Sequence, residues 1–206
     1  SLVKNYEVDS TRRVWRFYLR KDVFFAEDRC FAGKRNLTAY DVEYTFKRLS
    51  TLRSPGKEFI ENMVEKFYAE DKYTFVIELK KPFSPLKSVL AMHIFKIVPK
   101  EAIEYYGDDF AYHPVGSGPF KLLEWVKEDR LVLVRNKNYW QEGKPCLDGV
   151  VSYFIPDKLA MLDEFLKGKL DMLIIYDEFI PAVFDDIKTR TIKKEYRNIK
   201  EAIKKI

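Results

Sequence analysis

Apolar and polar positions alternate most cleanly over Val14 to Lys21, where Trp15, Phe17 and Leu19 point one way and Arg16, Tyr18 and Arg20 the other. A period of two marks a half-buried β-strand. Past a polar segment from Ala26 to Asn36 the period changes. Thr38 precedes Ala39 to Leu49, in which Val42, Phe46 and Leu49 recur at helical spacing. Asp41, three residues after Thr38, completes an acidic version of the capping box, so an amphipathic helix is expected here. A second helix is expected over Lys57 to Lys66. A strand is expected over Tyr73 to Lys80, with Phe75, Ile77 and Leu79 on one face, ended by Pro82 and Pro85. Lys87 to Met92 reads as a short helix, His93 to Val98 as an apolar stretch closing at Pro99, and a further helix starts near Lys100.

The pattern breaks at His113-Pro114-Val115-Gly116-Ser117-Gly118-Pro119, a tight turn and a candidate lobe boundary. Beyond it Phe120 to Val126 and Leu131 to Asn136 form a hairpin around a charged turn. Val150 to Ile155 reads as a strand. Asp157 caps a helix from Lys158 to Lys167, whose face is Leu159, Leu162, Phe165 and Leu166, and Gly168 lies at its C′ position. Leu170 to Ile175 reads as the next strand. Strand, helix, strand with short connections makes a βαβ unit with parallel neighbours.

The 206 residues allow one large domain or two lobes, and 47% hydrophobic with 16% aromatic residues is the composition of a folded chain. No apolar run approaches the roughly 18 to 20 residues of a membrane helix. Ser1-Leu2-Val3-Lys4 has no basic stretch leading into an apolar one, so a secretion signal is expected to have been removed or to lie outside these residues. The net charge of +5 is spread among interspersed signs, as in Lys127-Glu128-Asp129-Arg130, and only Lys188 to Ile206 is locally basic. That argues against nucleic acid as a partner. A single glutamine, Gln141, beside abundant Lys and Glu is a thermophile-like bias.

Candidate chemistry is sparse. Gly116-Ser117-Gly118 lacks the G-x-S-x-G spacing of a nucleophile elbow and leads into a strand, where a phosphate loop would open a helix. His93 and His113 stand apart, and Cys30 and Cys146 have no ligand spacing, so no metal and no cofactor is expected. Two free thiols are the expectation, although a disulfide in an oxidising compartment stays open. Asp108-Asp109 and Asp185-Asp186 read as solvated helix ends. No enzyme is indicated.

Three stretches carry a resemblance. Val14 to Phe25 followed by Leu37-Thr38-Ala39-Tyr40-Asp41-Val42 resembles a strand, turn and "plTAeDV" helix. Pro114 to Leu122, continuing through Arg135-Asn136-Lys137-Asn138-Tyr139-Trp140 to Lys144-Pro145, is similar to "PVGTGPYkL…eRNpdYW…kP". Ile155-Pro156-Asp157 with Leu166 to Met172 is similar to "iPD…l.sGeiDm". In this order and spacing they resemble the extracellular solute-binding proteins of family 5, the oligopeptide, dipeptide and nickel receptors of ABC importers, with Leu86 to Gly107 most like the oligopeptide branch. The sequence departs from that pattern at the longer loop Ala26 to Arg35 and at Ser117, which stands where the family has threonine.

The resemblance implies an α/β, periplasmic-binding-protein-like fold of type II in its three-domain variety. These residues would be a fragment of it: a mixed-sheet accessory domain over 1–112 and part of the first, βαβ-containing ligand-binding lobe over 113–206, the second lobe being absent. It implies a monomer, outside the cytoplasmic membrane and lipid-anchored or periplasmic, that closes around a peptide or related small solute and passes it to a membrane permease. The other reading is a structural or interaction module that reuses the fold without transport. Met92, His93 and Phe95 fall in the loop that approaches the ligand in related receptors, and Tyr176 would end a parallel strand where ligands gather. Against this, His93 reads equally as a surface histidine, and Met92 and Phe95 as core. Asp157, Trp140 and Gly116 to Pro119 read as architectural.

Overall fold

Trp15, Phe17 and Leu19 are all buried on one face of a six-residue strand, as the alternation demands. The computed structural model describes residues 1–174, 184–186 and 191–192. By internal packing the chain divides into two compact units, 1–152 and 153–206.

The first unit opens with a hairpin of β1 (Val3–Val8) and β2 (Val14–Leu19). Asp9 builds its turn by accepting the backbone N–H groups of Arg13 and Val14, both at 3.0 Å. Helices α1 (Ala39–Thr51) and α2 (Pro55–Met63) follow, then β3 (Val64–Ala69) and β4 (Thr74–Leu79). The sheet order is β1-β2-β4-β3. All three pairings are antiparallel, where a mixed sheet was expected. The reason is connectivity: β1–β2 and β3–β4 are tight hairpins, and the long helical excursion returns β4 beside β2 in the opposite sense.

α1 packs Val42, Phe46 and Leu49 inward. The Phe46 ring lies 5.1 Å from Phe75, 5.4 Å from Phe67 and 5.6 Å from Phe95, so one helix residue ties together two strands and the segment after α3 (Leu86–Leu90). The second helix starts earlier than expected and is shorter. Ser54 caps it, accepting from Lys57 N at 3.3 Å with Pro55 in the first turn. It stops at Met63 because Val64 to Ala69 pair with β4.

After α4 (Lys100–Tyr106) the chain reaches a three-stranded sheet, β5 (Phe120–Val126), β6 (Arg130–Arg135) and β7 (Gly149–Tyr153), in that order. Gly149 is required at the edge of β6: a Cβ there would sit 2.7 Å from the Leu133 carbonyl oxygen.

In the second unit, Asp157 caps α5 (Lys158–Leu166), accepting from Ala160 N at 2.8 Å, and Gly168 ends it at φ +74°. Only Leu162 of the expected apolar face is buried. Residues 170–174 form no strand, so the expected βαβ pairing is not made among the described residues. An apolar run becomes a strand only where a neighbour takes its backbone groups, and here Met172 and Ile174 are left exposed. Strands β8 (Phe184–Asp186) and β9 (Thr191–Ile192) pair antiparallel. Among the described residues, no helix is long and apolar enough to cross a membrane.

Candidate functional site

The segment between α3 and α4 carries three of the four residues singled out from the sequence. Met92 N–H donates to Val89 O at 3.0 Å, closing α3, and His93–Phe95 make one 3-10 turn, with Phe95 N–H donating to Met92 O at 3.1 Å. The turn splits its side chains. Met92 is 49% exposed and His93 is exposed, whereas Phe95 is 5% exposed and belongs to the core. Besides Phe46, its ring meets Phe59 edge-on at 5.6 Å. Met92 and His93 are therefore free to meet a ligand, and Phe95 is an anchor. Tyr176 lies outside the described residues.

Beside this turn the unit has an apolar groove of about 620 Å³, floored by Phe17, Phe46, Phe75 and Phe95. Lys4 and Lys87 stand among its lining residues, with Lys87 Nζ bonded to Tyr6 OH at 2.8 Å.

The glycine turn is structural in its contacts. Gly116 O accepts from Ala26 N at 2.8 Å, and the buried Asn136 side chain donates to Gly118 O at 2.8 Å. The Arg20 guanidinium lies 4.1 Å from the Trp140 ring centroid. No hydrogen bond links Ser117 to a histidine among the described residues, and His113 stacks on Tyr106 at 4.7 Å. No group of three or more potential metal ligands occurs among them either.

Sequence reasoning passed over two residues. Asn136 was read only as part of a motif. Thr45, on the buried face of α1, was not singled out, yet a polar group in an apolar stripe signals a hydrogen-bond partner.

The electrostatics fix the approach to α1. Arg35 bonds Asp41 at 2.7 Å and Glu101 at 2.7 Å, tying the loop before α1 to the start of α4. Burial, the largest single influence, would raise the Glu101 carboxyl, but the hydrogen bond and charge of Arg35, a backbone N–H and the Lys100 charge together hold the group below its ordinary value. In the long loop, burial and the neighbouring Asp28 push the Cys30 thiol up to about 12. Cys30 and Cys146 are both free thiols.

A hairpin-built sheet backed by helices, followed by a second sheet beyond a glycine turn, is the fold of part of a type II periplasmic binding protein. The match to the bacterial extracellular solute-binding proteins, family 5 middle region, runs over residues 1–201, and the chain belongs to that family. The glutathione-binding protein GsiB of Salmonella paratyphi A is 31% identical over 153 residues, covering 72% of this chain and 28% of its own. A periplasmic DppA from Helicobacter pylori, solved with the peptide STSA, superposes with a TM-score of 0.75 at 27% identity, covering 82% of this chain and 36% of its own. MoaA from A. tumefacien R10, solved with mannopinic acid, gives 0.74 at 30% identity, covering 83% and 34%. The chain thus spans about a third of the length of these relatives, whose names are those of binding proteins.

Proposed function

We propose that these residues belong to the substrate-binding component of an ABC importer, one that captures a peptide or related small solute outside the cytoplasmic membrane and delivers it to a permease. Residues 1–112 would be its accessory domain and 113–206 part of the first ligand-binding lobe. The separate sheets on either side of the glycine turn favour that division. The observation that carries the functional reading is the display of Met92 and His93 on a turn anchored in the core of a family member. The solutes named for the relatives, glutathione, a tetrapeptide and mannopinic acid, share a small polar framework with carboxylates.

Calorimetry on the whole protein with the tetrapeptide Ser-Thr-Ser-Ala and with glutathione tests this. Saturable binding of at least one, weakened by Met92→Ala or His93→Ala, is expected. No binding of any peptide by a folded protein would overturn the proposal in favour of a non-transport module.

A further inference from the structure

We propose that Thr45 and Phe95 are positioning residues for this site, holding the turn that presents Met92 and His93. The inference rests on the reading of that turn as a ligand contact.

Thr45 sits on the buried face of α1, 2% exposed, where an unpaired hydroxyl would be costly. Its hydroxyl reaches across to a single residue beyond the turn. It accepts the Val98 backbone N–H at 3.1 Å and donates to the Val98 carbonyl at 3.4 Å. Val98 lies in neither helix nor strand, so these bonds give its two backbone groups the partners a ladder would otherwise supply. The next residue, Pro99, is fully buried and is the N-cap of α4, so the path leaving the turn is fixed in place.

Phe95 fixes the near side through its contacts with Phe46 and Phe59. Because Phe46 is one residue from Thr45, α1 supplies both anchors. Met92 and His93 stand just ahead of this doubly held segment and reach solvent from a backbone that has little freedom left. A contact surface of that kind has less ordering entropy to lose when ligand arrives, which shows as slower dissociation.

The test uses the whole protein, the same two ligands, and three readouts: affinity, amide exchange over residues 92–98 without ligand, and melting temperature. Thr45→Val keeps the side chain's shape and removes the hydroxyl; Thr45→Ser keeps the hydroxyl. Losing both bonds to Val98 in Thr45→Val should raise exchange over 92–98 about tenfold and weaken ligand binding about fivefold, mainly through dissociation. Thr45→Ser should stay within about twofold of the native protein on both readouts. Phe95→Leu should resemble Thr45→Val, and it replaces that variant as the probe if the valine protein does not fold.

Faster exchange with unchanged affinity would overturn the positioning role, as would a serine variant no better than valine. If Met92→Ala and His93→Ala also leave affinity unchanged, the failure lies with the reading of the turn as a ligand contact. If they weaken binding and Thr45→Val does not, it lies with Thr45 and Phe95.

Discussion

Thr38 shows how one side chain sets a helix. Its backbone N–H and hydroxyl both donate to Asp41 Oδ2, at 2.7 and 2.9 Å, and its extended φ of −129° turns the chain into α1. Thr38→Ala should destabilise the fold by about 1 kcal/mol in urea denaturation, the usual worth of a cap; no measurable change would remove that role. Cys30 is a second residue-scale case. With its thiol pushed up to about 12, it carries almost no thiolate at pH 8. Iodoacetamide should therefore label the exposed Cys146 first and Cys30 only on unfolding, as peptide mass spectrometry would read.

At the scale of elements, strands with an apolar pattern or a clear turn beside them were legible, including β5, β6 and β7 beyond the glycine turn, whereas β1 and part of β3 were not. β2 and β4 announce themselves because Trp15, Phe17 and Leu19, and Phe75, Ile77 and Leu79, alternate with less apolar neighbours over a core. β1 was missed because, as an edge strand, it buries almost nothing, and Lys4, Asn5 and Glu7 give it no apolar face. β3 was partly absorbed into the preceding helix, since Val64 and Phe67 also fit a helical spacing; only pairing with β4 decides between them. Leu170 to Ile175 erred the other way: the run was expected to pair in parallel with Val150 to Ile155, and over its described residues, 170–174, no strand forms. The turn bearing Met92, His93 and Phe95 came from family resemblance. Its division into two exposed residues and one anchor did not, because that depends on where Phe46 and Phe59 lie.

Two element-scale outcomes follow from contacts. Gly149→Ala would drive a methyl into the Leu133 carbonyl, so a loss of about 1–3 kcal/mol is expected by denaturation. The Arg35–Glu101 pair sets an acid dependence. Because the folded Glu101 carboxyl lies below its ordinary 4.5, its contribution is complete above about pH 4.5 and fades as pH falls through the folded value. With the Glu101 side chain 40% exposed the effect is small, and Glu101→Gln should lower stability slightly and uniformly above about pH 4.5 while flattening the acid limb, so that the two proteins converge at low pH.

For the whole molecule, on the function proposed above, residues 1–206 would supply one wall of a ligand cleft. Enclosed ligands of this size have about 70 to 90% of their surface covered, and one wall leaves their backbone groups competing with water. Residues 1–206 alone should thus give no measurable heat with a mixed peptide library; micromolar binding would show a self-contained site. The most direct measurement is the melting temperature of the whole protein against peptide concentration. A ligand bound only by the native state adds about 2.7 kcal/mol at one hundred times its Kd, so the melting temperature should climb steadily with peptide, and climb less at equal concentration in Met92→Ala and His93→Ala. A melting temperature that stays level at every peptide length and concentration would contradict the account.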